Sequence, residues 1–283
     1  MSPSLLELKT QFDRALARID LPRPFSDRIE IFLSPQAIEL KRLLRNGTTL
    51  IRRYVCSSVD GDDTWQVAVA TMVHALQELS WRDARAKLIL SNHFVRYSLL
   101  PGGDSLRNDI ERTAAGRHHL RTIYGDRAES WQIAPGVSGG TCVLAAAVDH
   151  EIIEEIIARL RELKLHIQSI EPLLTSQFNR CRRYIDATPT WLATIEPGRL
   201  GVAYFEDQTW RAMYTEKIPD DSEFNLMLAL DRYRLAMGGV PGRILSVQLG
   251  ALNDGPLSEP PSNPGGLEWA LEQTEWPSAP YPA

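Results

Sequence analysis

Apolar and polar positions along the chain alternate with period two in some stretches and with period 3.6 in others, and the switch runs in the same order twice. Arg28 to Leu33, Ala37 to Leu43 and Thr49 to Cys56 read as three strands, the last two joined across Asn46-Gly47. An Asn-Gly pair between apolar runs marks a hairpin, because both residues tolerate positive φ. A helix is predicted from Thr64 to Leu79, with Val69, Met72, Val73, Leu76 and Leu79 on one face. Strands at Lys87 to Leu90 and Phe94 to Leu100 follow, then a polar helix from about Asp104 to Tyr124 and a small-residue strand from Thr141 to Val148. The spacing next predicts a helix from His150 to Leu163 that buries Ile152, Ile153, Ile156, Ile157, Leu160 and Leu163. A short strand, His166 to Ile170, leads into a helix from Pro172 to Tyr184, whose proline suits a first turn. Both of these helices are expected to join two lobes. Then the opening pattern restarts. Trp191 to Ile195, Leu200 to Phe205 and Thr209 to Thr215 predict three strands, followed by a helix from Ser222 to Met237 and a strand from Arg243 to Leu249. Strand-strand-strand-helix-strand thus occurs twice, the mark of an internal repeat and of two related lobes.

The ends of the chain differ from this body. Leu5, Leu8, Phe12, Leu16 and Ile19 recur at helical spacing, so residues 1–26 read as an amphipathic helix and a proline-broken linker. Residues 27–186 form the first lobe, 187–253 a shortened second lobe, and 254–283 a proline-rich acidic tail read as mostly disordered. Within that tail, Leu267, Leu271 and Trp276 can share a helical face, with Trp269 beside it; these four are candidate partner-binding anchors.

Charge sharpens the picture. The 283 residues carry 31 Lys and Arg against 36 Asp and Glu, a net charge of −5. Residues 254–283 hold Asp254, Glu259, Glu268, Glu272 and Glu275 and no Lys or Arg, so the tail supplies the whole excess and the body is neutral. A nucleic-acid partner is not expected, because such binders concentrate a basic excess in their folded part; Arg180-Cys-Arg-Arg183 reads as a solvated helix end. No apolar run approaches the ~20 residues that span a bilayer, and charges among the first leucines leave no signal-peptide core. Three distant cysteines, Cys56, Cys142 and Cys181, fit buried thiols in a reducing compartment. The expected setting is cytoplasmic.

Two tandem β-β-β-α-β units are the plan of the actin-like, ribonuclease-H-type ATPases. Within that superfamily the chain resembles the bacterial PilM/GspL-type assembly proteins of type IV pilus and type II secretion machines. The resemblance rests on Phe94-Val-Arg-Tyr-Ser-Leu-Leu-Pro101, on Val143 to Glu154 running through Leu165 to Pro172, and on Trp191 to Pro219. It implies a two-lobed actin-like α/β fold. It also implies a place at the cytoplasmic side of the bacterial inner membrane, with a membrane-anchored assembly protein and a motor ATPase as partners and a homo-oligomer or ring as the assembled state.

The nucleotide elements of that superfamily are thin here. Each lobe should open with a hairpin turn in which glycine amides approach phosphate oxygens and an Asp positions a hydrated metal. The first turn, Ser34-Pro35-Gln36, has neither Gly nor Asp, and Pro35 removes an amide donor. The second, Glu196-Pro197-Gly198, keeps one Gly, with Glu196 standing where an Asp would. The adenosine element reduces to Gly250. These seven are degenerate nucleotide-site positions; no cofactor is expected, and weak ATP binding is the one ligand left open.

Other clusters carry less chemistry. Gly136-Val-Ser-Gly-Gly-Thr141 lacks the lysine of a phosphate loop. Adjacent His118 and His119 diverge on a helix, and Asp60, Asp62 and Asp63 lack the spacing of a calcium loop, so no metal site is expected. Ser91-Asn-His93 has no nucleophile-elbow motif around its serine. The expected protein is a non-catalytic scaffold, a pseudo-ATPase. The alternatives are an ATP-binding switch of the same fold and, behind it, a superfamily kinase.

Overall fold

The computed structural model of the protein describes residues 28–43, 49–57, 64–78, 84–102, 105–136, 142–219, 224–240, 242–249 and 269–275. The amphipathic helix expected at the N-terminus lies outside them.

The first sheet contains β1 (Arg28–Leu33), β2 (Ala37–Leu43), β3 (Thr49–Val55), β4 (Arg85–Leu90) and β8 (His166–Pro172), in the order β3-β2-β1-β4-β8. The β1-β2-β3 meander is antiparallel, while β4 joins β1, and β8 joins β4, in parallel. Parallel neighbours need a crossover. Helix α1 (Thr64–Glu78) lies on the connection to β4 and buries Ala68, Val69, Met72, Ala75 and Leu76. The connection from β4 to β8 is much longer. It carries β5 (Val95–Pro101), α2 (Asp109–Tyr124), β6 (Trp131–Pro135), β7 (Cys142–Asp149) and α3 (His150–Glu162).

Three of those elements form a second, three-stranded sheet in the order β5-β7-β6. Strand β6 was not legible in the sequence, since its five residues are short and end in Pro135. The sheet explains why β7 reads Cys-Val-Leu-Ala-Ala-Ala-Val-Asp. Val143, Ala145 and Ala147 pack with Leu120 of α2 and Ile133, while Leu144, Ala146 and Val148 enter the main core. Small residues let α2 come close: a Cβ on Gly116 would stand 3.2 Å from Ile133 and 3.3 Å from Ala145. Helix α2 starts at Asp109 because Asn108 and Glu111 form a reciprocal cap. Asn108 accepts from the Glu111 amide (3.0 Å), and Glu111 accepts from the Arg107 amide (2.8 Å).

The third sheet repeats the first. Strands β9 (Thr190–Glu196), β10 (Arg199–Glu206), β11 (Thr209–Lys217), β12 (Arg243–Leu249) and β13 (Trp269–Glu275) lie in the order β11-β10-β9-β12-β13. Strand β9 is antiparallel to β10 and parallel to β12, as β1 is to β2 and β4. The connection to β12 carries α5 (Leu226–Ala236), capped by Asn225. The repeat breaks at its last strand: β13 runs antiparallel to β12, whereas β8 runs parallel to β4. This corrects the tail reading. Trp269 to Glu275 form a strand rather than a helical face, because a short isolated helix is marginal and the open edge of β12 offers backbone partners.

The core is continuous across the lobes. Leu192, Phe205, Trp210, Leu245 and Val247 of the second lobe share one cluster with Ile31, Leu40, Met72, Leu88 and Ile156 of the first. Only one of the two helices expected at the junction is there. Helix α4 (Leu173–Cys181) places Phe178 against Phe205 and Trp210, with ring centroids 5.1 and 4.8 Å apart. Helix α3 packs within the first lobe, burying Ile152, Ile153, Ile156 and Leu160, while Ile157 and Leu163 stand at its margin.

Candidate functional site: the cleft between the lobes

Parallel strands in α/β sheets present ligand sites outside their carboxyl ends. Here β1 ends at Leu33, β4 at Leu90 and β9 at Glu196, and the segments that follow them meet. The turn after β1 is closed on itself. The Ser34 hydroxyl donates to the Ala37 carbonyl (2.8 Å) and accepts from the Ala37 amide (3.0 Å), and the Ser34 amide donates to the same carbonyl (3.1 Å). Pro35 has no amide to offer. Three donors of the turn, the Ser34 hydroxyl and the Ser34 and Ala37 amides, are therefore already used.

The turn after β9 is a two-residue loop, Pro197-Gly198, with Gly198 at φ 71°. Pro followed by a positive-φ Gly is the chemistry of a type II turn. It aims Glu196 across the cleft. One Glu196 oxygen accepts from the Ser91 hydroxyl at 2.5 Å, the other from the Asn92 amide at 2.8 Å. His93 Nε2 lies 2.8 Å from the Pro197 carbonyl, so its Nε2–H form donates there. Gln36 reaches the same ring nitrogen at 3.5 Å.

Behind this contact lies a buried chain of hydrogen bonds. The Leu174 amide, opening α4, donates to the Tyr97 hydroxyl (3.2 Å), which donates to Asn92 Oδ1 (2.7 Å). Asn92 Nδ2 donates to the Thr194 hydroxyl (3.2 Å), and that hydroxyl donates to the Gly201 carbonyl (3.2 Å). Ser91, Asn92 and Thr194 are wholly buried and Glu196 is 2% exposed. Polar groups so deep are tolerated only when satisfied, and each member of this chain is.

Burial has an electrostatic consequence. Desolvation pushes the Glu196 carboxyl up to about 7, against the hydrogen bonds from Ser91 and Asn92 and the charge of Arg199, which pull it down. Burial also raises the Tyr97 phenol, which stays a donor. Arg199 is lowered, first by desolvation and then by Arg96. Next to this inter-lobe lock of Ser91, Asn92, His93, Glu196 and Pro197 is a cavity of about 300 Å³ lined by Trp65, His93, Arg96, Trp131 and Asp149 among others.

The expected positions divide as follows. Ser34, Pro35, Gln36, Glu196, Pro197 and Gly198 come together at this cleft, whereas Gly250 lies outside the described residues. Leu267 and Trp276 also lie outside them, and Trp269 and Leu271 belong to β13. Sequence reasoning missed Asn92, Tyr97, Thr194 and Gly201. It weighed Ser91 and His93 only as a catalytic pair. The available signal was the polar Ser-Asn-His interruption between two apolar strands.

Neither a family model nor a curated protein matches the sequence. Solved structures do. A protein of unknown function with an actin-like ATPase fold, from Bacteroides thetaiotaomicron, is similar at a TM-score of 0.52 over 83% of this chain and 86% of that one, with 12% identity. The fold is actin-like. The chain is also similar to the PilM–PilN type IV pilus biogenesis complex (TM-score 0.48, 15% identity, 77% of this chain and 71% of that one). A further likeness is to the cytoplasmic domain of EpsL, an inner membrane component of the Vibrio cholerae type II secretion system (TM-score 0.45, 10% identity, 68% and 71%). At these identities the likeness is one of fold, and a fold does not by itself give a function.

Proposed function

We propose that this actin-like protein is a non-catalytic scaffold, a pseudo-ATPase in which the cleft joins the lobes instead of holding nucleotide. The observation that carries the reading is Glu196 spending both oxygens on Ser91 and Asn92 while His93 engages the Pro197 carbonyl. With each oxygen held by a buried donor and only 2% of the residue exposed, Glu196 turns no oxygen toward a hydrated metal, and two prolines stand where phosphate amides would be needed. The sequence resemblance to PilM/GspL-type proteins supplies the setting: an assembly platform on the cytoplasmic face of the bacterial inner membrane, with a membrane-anchored partner and a motor ATPase. A partner segment entering the cavity beside the lock would meet His93, and through it the second lobe.

Titration with Mg-ATP tests the first half. A ligand at ten times its dissociation constant adds about 1.4 kcal/mol of stability, a few degrees in melting temperature. The expected shift at ~1 mM ATP is below about 1 °C; a rise of several degrees would favour the nucleotide switch instead. Deletion of the gene tests the second half, with loss of piliation or of type II secretion as the expected result. Complementation by a Glu196→Gln chain should restore it.

A further inference from the structure

The first sheet ends in an edge strand whose protection against pairing is charge alone, from Arg52 and Arg53. All of β3 except Tyr54 is exposed, and among the described residues it pairs on one side only, with β2. Natural sheets blunt such edges with proline, bulges or short strands; β3 is seven residues long, contains no proline, and runs in unbroken register against β2. Arg52 Nη1 donates to the Ile51 carbonyl at 3.3 Å, a local contact on the open edge.

The edge is both apolar and cationic. Leu43, Leu50 and Ile51 are each 41% exposed and Val55 67%. Cross-strand pairs place Leu50, with Arg52 and Tyr54, on the face that α1 covers, since Tyr54 opposes Ile38 and Arg52 opposes Leu40. Leu43, Ile51 and Val55 lie on the opposite face, with Arg53. Between Leu40 and Val55 the sequence holds five basic residues and no acid, in a protein whose net charge is negative; Lys41 is buried and Arg45 lies outside the described residues, so the cationic character of the edge comes from Arg52 and Arg53 on β3, with Arg42 beside them on β2. Glu39, 3.9 Å from Arg53, is the acid facing this stretch from β2.

We propose that β3 is a docking edge for an extended acidic segment of a partner protein, which adds as a further strand beside it. Three features choose this occupant. The unpaired backbone of an edge strand is satisfied by a strand. Exposed apolar side chains on both faces flank an added strand on both sides, whereas a bilayer surface meets one face. The cationic stretch matches acid. A second copy fits poorly, because pairing all of β3 antiparallel with itself centres on Arg52 and sets two guanidinium groups opposite each other. This surface is separate from the cleft and does not depend on the pseudo-ATPase reading.

The test uses the full chain and a labelled peptide of alternating Glu and Val, with a Lys-Val peptide as control, read by fluorescence anisotropy. The acidic probe should bind, weaken as salt rises, and lose roughly tenfold or more in affinity with the double variant Arg52→Glu/Arg53→Glu. A strand offers alternate amides to one neighbour. N-methylation of one alternate set of probe amides should therefore abolish binding, and N-methylation of the other set should spare it. Equal binding of both N-methylated probes would overturn strand addition. So would binding that ignores the arginine reversals. Arginine-dependent capture by anionic vesicles without peptide binding would assign the surface to a membrane, and arginine-dependent self-association in sedimentation would assign it to a second copy; either result sinks the proposal.

Discussion

Glu196 is the residue on which the cleft turns, and its protonation gives a signed prediction. Its folded value, about 7, lies above the ordinary 4.5. Between those values the native state holds more protons than the unfolded one, so stability falls as pH rises through the window. The contribution is complete below about 4.5 and gone above about 7, and spans on the order of 3 kcal/mol. Denaturant titrations of the native chain and of Glu196→Gln between these limits isolate it, because every other group titrates in both. The difference in stability should shift steadily against the native chain as pH rises, and a constant difference would mean that the carboxylate is not desolvated. Gly201 offers a steric counterpart. A Cβ there would stand 2.6 Å from Thr194 Oγ1 and 3.0 Å from Asn92 Nδ2, inside the buried chain. Gly201→Ala should cost about 1–3 kcal/mol, read as a lower melting temperature, although no charge or cap is touched.

Among the elements, α3 shows how a periodicity can be right about a face and loose about its edge. The 3.6 repeat predicted both Ile156 and Ile157 as core, but the two are about 100° apart on a helix, and only Ile156 is fully buried. Ile156→Asp should place an unpaired charge in the main core and remove soluble protein. Ile157→Asp, at the margin, should leave a folded and less stable one; solubility and melting of the two variants check the order. Caps set the helix starts more tightly than periodicity did. The sequence pattern begins α2 near Asp104, yet the Asn108–Glu111 reciprocal cap starts it at Asp109. Asn108→Ala should cost about 1 kcal/mol, measurable by chemical denaturation.

At the scale of the molecule, the contacts that hold the lobes together include two of different kinds. One is apolar, Phe178 of α4 against Phe205 and Trp210. The other is polar, the Asn92 and Glu196 contacts. Removing the first should cost core stability, by about 1–3 kcal/mol for Phe178→Ala, since that ring is only partly buried. Asn92→Ala acts differently. It removes one buried partner each from the Tyr97 and Thr194 hydroxyls, and such unmade bonds cost about 1–3 kcal/mol each. Hydrogen exchange should then show protection lost around residues 91–97 and 190–201 together, from both lobes; loss confined to one lobe would contradict a shared junction.

The repeat of strand, strand, strand, helix, strand was legible because period-two and period-3.6 patterns are local. The hairpin turns at Ser34-Pro35-Gln36 and Glu196-Pro197-Gly198 were legible because proline and glycine act on their own backbone. Their juxtaposition was not legible. Ser91 and Glu196 are far apart in sequence and carry no spacing rule, and only the stacking of two sheets by their strand ends brings them to 2.5 Å. The same holds for β13, whose residues the sequence pattern set on a helical face; the edge of β12 decided otherwise, since backbone groups must find partners wherever the fold offers them. Local pattern thus determined the elements and what their turns lack. Tertiary structure alone decided which polar groups face each other, because burial and pairing are properties of the assembled core.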